Sequence, residues 1–114
     1  MHGPFVVGPV IERKIGLSAY SAMSVDAEWR DAEWCERHGL YSRVYGDVSS
    51  MHQAVNTLAT TLANSNPDAM AGLKHVFWQG TEGWDLLLAD RAATSGRMVL
   101  SEFTRNAIKG FRAR

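Results

Sequence analysis

The stretch Ser50-Met51-His52-Gln53-Ala54-Val55-Asn56-Thr57-Leu58-Ala59-Thr60-Thr61-Leu62-Ala63 decides the fold class. Met51, Val55, Leu58, Ala59 and Leu62 recur in it at steps of three and four residues, which places them on one face of an α-helix. Ser50 and Gln53 form the S-x-x-Q pattern of a capping box, so the helix is expected to start there. A stripe of this kind predicts a buried face, and Leu58→Ala is then expected to destabilise the fold by roughly 2–5 kcal/mol.

Downstream, Asn66-Pro67 starts a second helix, with Asn66 as N-cap and Pro67 at the first position, where its missing N–H costs nothing. Met70, Leu73, Val76 and Phe77 form its apolar side, and Gly80 ends it. Thr81 is the expected cap of a helix carrying Trp84, Leu87, Leu88 and Arg91. Ser95-Gly96 predicts a break, and a last helix aligns Leu100, Phe103, Ala107 and Phe111. Upstream, Phe5 to Val10 reads as a loop into a short helix from Val10 to Ile15, with Pro9 in its first turn and Gly16 as its stop. A further short helix is expected from Leu17 to Met23. Asp26 is the expected N-cap of the next helix, which runs to about Arg37 with Gly39 as a left-handed stop. In that helix Trp29, Ala32, Cys35 and Glu36 share a side. Leu40 to Tyr45 is rich in strand formers and reads as one strand or an extended link, closed by a Gly46-Asp47 turn. The fold class that follows is mainly α, with five to six short amphipathic helices and at most one or two short strands, in a single domain over 1–114.

The composition agrees. A chain of 114 residues with 46% hydrophobic and 21% charged residues has the makeup of a globular domain, and one of this size can bury roughly two-thirds of its unfolded surface. The net charge of +0 leaves no cationic excess to neutralise phosphates, so a nucleic-acid partner is not expected. The single cysteine, Cys35, excludes an intrachain disulfide and a Cys-based zinc site, and suits a reducing, cytoplasmic setting. No apolar run approaches the roughly 18 residues of a membrane span, and Met1-His2-Gly3-Pro4 lacks the basic start and long apolar core of a secretion signal. No membrane partner is expected.

Chemistry-bearing motifs are sparse. Phosphate loops, dinucleotide fingerprints, H-E-x-x-H and G-x-S-x-G are all missing from the sequence. His2, His38, His52 and His75 do not sit at metal-ligand spacing, and Glu33 and Glu36 beside His38 read as a solvated helix face. Cys35 reads as a buried, inert thiol. Trp29, Trp34, Trp78 and Trp84 read as packing residues, with an aromatic pocket as the alternative. The tail is basic: Arg105, Lys109, Arg112 and Arg114 follow the last acid, Glu102. Two readings stand for it, cations stabilising a helix C-terminus and a phosphate contact.

Four stretches carry a resemblance. Asp31-Ala32-Glu33-Trp34-Cys35-Glu36-Arg37-His38-Gly39-Leu40-Tyr41-Ser42-Arg43-Val44 resembles the pattern A-x-E-A-x-x-x-G-L-V-x-x-V of the enoyl-CoA hydratase/isomerase (crotonase) family, in which a helix ends at the Gly and a short extended segment follows. Here Trp34 and Tyr41 replace the commoner small and aliphatic residues. Ala54-Val55, Leu58-Ala59, Leu62-Ala63, Pro67-Asp68-Ala69 and Lys74 resemble the family's A-x-x-L-A-x-x-L-A…P-x-A…K. Ala107-Ile108-Lys109-Gly110-Phe111-Arg112-Ala113-Arg114 is similar to its closing A-I-x-x-F-x-x-K/R. Gly3-Pro4-Phe5-Val6-Val7-Gly8-Pro9-Val10-Ile11-Glu12-Arg13-Lys14-Ile15-Gly16 resembles the segment just after the family's second catalytic glutamate, in the flavour of methylglutaconyl-CoA hydratase-like proteins.

The resemblance implies the carboxy-terminal helical part of a crotonase fold, related to acyl-CoA metabolism. Family members are more than twice this length, and their first part supplies the β-rich core, the oxyanion-hole N–H groups and the catalytic glutamates. None of Glu12, Glu28, Glu33, Glu36, Glu82 and Glu102 matches a catalytic position, so the resemblance implies no catalytic residue here and no hydratase or isomerase activity from the chain alone. It does imply a coenzyme A thioester as ligand, with Phe111 near the adenine and Arg114 near the phosphates. Lys109 and Arg112 stand beside these without being motif positions. The implied partners are further copies of the chain in a homo-oligomer and a crotonase-like amino-terminal body. The alternative is a non-enzymatic helical module for self-association. Either way an uncovered apolar surface is expected, with Phe5 to Val10, Trp29 and Trp78 as candidates for the contact.

Overall fold

The computed structural model describes residues 5–113, and among them six α-helices and no strand are found. The mainly α fold class is therefore as expected. In chain order the helices are α1 (Gly8–Asp26), α2 (Ala32–Arg37), α3 (Val48–Ala63), α4 (Pro67–Phe77), α5 (Trp84–Val99) and α6 (Glu102–Arg112).

α1 is two helices joined at a kink. Gly16 has φ 81° and ψ 163°, a region essentially closed to residues with a Cβ. The kink folds the helix on itself, so that the Tyr20 side chain lies over Gly8, which is buried. The expected stop at Gly16 is thus real, although the second half runs on to Asp26.

Asp26 does not cap α2. Ala27 turns left-handed after it (φ 53°) and ends α1. Asp31 is the cap instead, accepting the Trp34 N–H at 2.8 Å. Asp26 holds the intervening loop: its carboxylate accepts the Glu28 N–H at 2.9 Å and the Arg30 guanidinium at 2.6 Å. Trp29 is consequently in the loop, fully exposed, and shares no helix side with Cys35. α2 ends as expected at Gly39, whose φ is 82°. The Gly39 N–H donates to Glu36 O and the Leu40 N–H to Cys35 O, the paired bonds of a Schellman ending. Of the two readings of 40–45, the extended link is the one found.

Three further boundaries shift for local reasons and one holds. α3 is capped by Asp47, which accepts the Ser50 N–H at 2.7 Å and the Ser50 hydroxyl at 3.0 Å. Ser50 is therefore the third helical residue and not the cap. Asn66 caps α4 as expected, accepting from Asp68 N and Ala69 N. Thr81 does not cap α5: its hydroxyl donates back to Trp78 O at 2.6 Å, and Gly83 precedes the first turn without a side-chain bond. α5 continues through Ser95-Gly96, because Gly96 keeps a helical φ and its carbonyl accepts the Leu100 N–H at 3.3 Å. The break falls instead at Ser101, which caps α6 by accepting the Thr104 N–H. That leaves Leu100 at the end of α5, outside the α6 row.

The largest departure is in packing. Among the described residues the only helices whose backbones come close are α5 and α6, which follow each other directly in the chain. Cys35, 6% exposed, is the one buried hydrophobic side chain among the described residues. The radius of gyration is 18.7 Å, against about 13 Å for a compact chain of this length. The accessible surface is 9157 Å2, against about 6,200 Å2 for a compact monomer of this mass. The chain thus hides about half of its unfolded surface and not two-thirds. The expected buried face of α3 is open: Met51, Val55, Leu58 and Leu62 are exposed, Leu58 at 59%. Its amphipathicity is genuine, but none of the described helices covers that face.

Candidate functional site

A broad concavity lies between the 40–45 link and α3. It encloses about 890 Å3 and is lined by Leu40, Tyr41, Tyr45, Met51, Val55 and Leu58 among others. Its shape follows from two local devices. The Schellman ending of α2 also brings the Tyr41 N–H to Cys35 O at 3.1 Å. Further on, the Glu36 carboxylate accepts the Val44 N–H. The link is thereby pinned against the end of α2 while its aromatic residues face α3. The polar members of the lining are Ser42, Arg43, Thr57 and Thr61. The wall carries no His, Cys, Asp or Glu, so it offers no carboxylate pair, general base or metal ligand set. It is suited to receiving apolar surface.

A second cluster surrounds the start of α2. The Trp34 and His38 rings stack at 4.0 Å and 23°, and His38 Nδ1 lies 2.9 Å from Trp34 O. The Arg30 guanidinium lies 5.2 Å from the Trp34 ring centre. Its bond to Asp26 holds that carboxyl below the usual range, with the Glu28 N–H adding to the effect. Arg30 is in turn held more firmly protonated, chiefly by the same bond.

A third feature joins α1 to the end of α4. Arg13 donates to Phe77 O at 2.7 Å and to Gln79 O at 2.8 Å. A cation suits this place, where the last carbonyls of a helix have no partner. Shallow cavities of about 350 and 470 Å3 flank the clamp; Glu12, Trp84 and Arg91 line the first, Phe77 and Trp78 the second, and Arg13 lines both. Arg13 was not singled out in the sequence. The signal that could have found it is weak, since one arginine on a short helix says nothing about a carbonyl 64 residues away.

Among the residues expected to meet a ligand, Phe111 lies on α6 and is 82% exposed. It does not line any of the concavities described above. Arg114 lies outside the described residues. Lys109 and Arg112 occupy the last turn of α6, the position that the helix-dipole reading of the basic tail requires. Cys35 is buried and free, as its inert reading requires. Trp78 and Trp84 meet edge to face at 5.9 Å, and each also lines one of the two cavities beside Arg13. Of the candidates for a contact surface, Val6, Val7, Trp29 and Trp78 are exposed. Glu82 accepts the Gly80 N–H at 3.2 Å, and bonds from its own and the Gly80 backbone N–H hold its carboxyl below the usual range. Among the described residues no group of three His, Cys, Asp or Glu side chains could hold a metal ion, and no helix is long and apolar enough to cross a membrane.

The chain matches no family model, no curated protein and no solved structure.

Proposed function

We propose that this chain is the carboxy-terminal portion of an enoyl-CoA hydratase/isomerase-like protein of acyl-CoA metabolism, working in the cytoplasm and inactive by itself. The observation that carries the proposal is the order of elements in 31–44. A helix stops at Gly39 and an extended link follows, on the residues where the sequence pattern resembles the crotonase family. The open surface supports the second half of the proposal. A chain that leaves the apolar face of its most regular helix uncovered depends on another body for a core, and the apolar groove beside α3 suits such a partner. In this reading Phe111 and Arg114 contribute to a coenzyme A thioester site that is completed elsewhere. The proton transfer and the oxyanion contacts of the reaction come from the crotonase-like amino-terminal body.

The test is calorimetric titration of CoA and crotonyl-CoA into the chain, alone and mixed with a crotonase-like amino-terminal half. The expected result is CoA binding that weakens in Phe111→Ala and Arg114→Ala, with hydration of crotonyl-CoA in the mixture only. Absence of CoA binding in both samples, or hydration by the chain alone, overturns the reading. A second reading, a non-enzymatic self-association module, is favoured by the exposed apolar residues of α3, α4 and α6.

A further inference from the structure

The described residues form two bodies that meet at a poorly filled seam. In the amino-terminal body the Tyr20 side chain lies over Gly8, and the backbone of α1 at Lys14 rests against Gly39 at the end of α2. In the carboxy-terminal body Trp78 meets Trp84 edge to face, and the backbones of α5 and α6 come close. α3 lies between the two bodies in the chain and has no other described helix near its backbone. It does not fix the angle between them.

The seam runs between α1 and the turn from α4 to α5. The α1 backbone approaches neither of those helices closely. Facing side chains enclose the two cavities instead: Leu17 opposite Trp84 and Leu87 in one, Val10 opposite Phe77 and Trp78 in the other. Arg13 lines both and crosses between them, donating through Nη2 to Phe77 O at 2.7 Å and Gln79 O at 2.8 Å. These bonds span 64 and 66 residues, whereas the cap bonds of Asp31, Asp47, Asn66 and Ser101 reach no further than three residues. The acceptors lie at the end of α4, where carbonyls lack helical partners, and a charged donor makes the stronger kind of hydrogen bond. Glu82, on the same turn, has its carboxyl held below the usual range by backbone N–H bonds first, and further by the charges of His75 and Arg13. A seam with voids on either side and solvent-exposed bonds across it has low local stability. One side chain can therefore decide whether it is shut.

We propose that Arg13 is a latch, and that its release parts the amino-terminal body from the carboxy-terminal one while the helices of both stay formed. The chain then has two states of one fold, a closed one in which α1 faces Trp78 and Trp84 across the seam and a parted one in which that face is open to solvent. The helices outlast the release because α2, α3, α4 and α6 are each capped by a neighbouring side chain. The proposal goes beyond the acyl-CoA reading and stands or falls separately from it, because CoA binding is not its readout.

The test is hydroxyl-radical footprinting of the full chain and of Arg13→Met, read by mass spectrometry, with small-angle X-ray scattering of both. Methionine keeps an unbranched apolar stem and removes the donors. Labelling of Trp78 and Trp84 is expected to rise in Arg13→Met, for Trp78 by at most about twofold because it is already 45% exposed. Trp29 is fully exposed and Trp34 is stacked on His38, so both keep their labelling and serve as internal standards. The radius of gyration is expected to rise above 18.7 Å with helical circular dichroism unchanged. Arg43→Met, at an exposed arginine beside α3 and away from the seam, is expected to leave both readouts as they are. Unchanged labelling or an unchanged radius in Arg13→Met overturns the proposal, because the seam is then shut without the latch. An equal change in Arg43→Met overturns it as well, since any lost cation would suffice. So does loss of the helical signal in Arg13→Met, which would mean that the two bodies do not outlast the release.

Discussion

The six residues of α2 and the sixteen of α3 hold to the chain in opposite ways. α2 is too short to be stable as an isolated helix, yet it carries the one buried hydrophobe among the described residues, Cys35. It is fastened at both ends, by the Asp31 cap and by the Schellman bonds through Gly39. A Cβ at Gly39 would lie 3.3 Å from Lys14 O, so the end of α2 also rests on the backbone of α1. α3 has a regular apolar row and a capped start, and buries none of its residues. Amphipathic spacing records that a face is meant to be covered. It does not say that the same chain provides the cover.

The difference can be broken first at a backbone joint. The Gly16 dihedrals lie where a Cβ is strained, and the space around it is open, so the cost of a side chain there is conformational and not steric crowding. Gly16→Ala is expected to lose about 1–3 kcal/mol in a urea melt. It should also loosen the fastened region, where the kink lets Tyr20 reach Gly8. Asn66→Ala removes two cap bonds from α4 and is expected to cost about 1 kcal/mol. A loss near zero for Gly16→Ala would mean that stability does not depend on the kink.

These joints divide by how legible they are in the sequence. Gly16, Gly39 and Asn66-Pro67 announce themselves, because glycine in a left-handed conformation and Asn before Pro act within a few residues. The caps expected at Asp26 and Ser50 stand instead at Asp31 and Asp47, and Thr81 gives way to a start at Gly83 without a side-chain cap. Several neighbouring side chains can each satisfy the same first-turn N–H, and spacing alone does not choose between them. Arg13 was invisible because its acceptors are backbone carbonyls brought near by the fold. Leu58 is exposed where its spacing predicts burial, because period reports which residues share a face and not what lies opposite. For the candidate site, Phe111 was legible only through resemblance, and its exposure on α6 is what the period of that helix permits.

Two substitutions sharpen the contrast within helices. Gly96 lies inside α5 with helical φ and nothing within 4 Å of a built Cβ. Gly96→Ala is therefore expected to raise stability by about 0.5–1 kcal/mol in the same melt. Leu58→Ala is now expected to cost under about 1 kcal/mol in the chain alone, since Leu58 is already 59% exposed. The loss should grow when a partner that covers α3 is added. A loss of the size first expected from the sequence, measured in the chain alone, would mean that α3 is covered by the chain itself.

The smallest effect separates the two starts by pH. Bonds from the Ser50 N–H and hydroxyl hold the Asp47 carboxyl below its ordinary value. A group whose folded pKa is depressed contributes stability above the unfolded carboxyl value and loses it as pH falls through the folded one. Asp47 therefore supports α3 at neutral pH and stops doing so in acid. Asp47→Asn keeps an oxygen for the Ser50 N–H but has nothing to titrate, so the acid limb of the helical signal should flatten. Asp26 is depressed as well, through Arg30, but it holds the 27–31 loop and not a long helix. Its substitution by Asn should leave the acid loss of helical signal almost unchanged and act instead on the fluorescence of Trp29 and Trp34. If Asp26→Asn flattened the helical acid limb more than Asp47→Asn, the 27–31 loop would be the joint on which helix formation depends, and the ranking of the two regions would reverse.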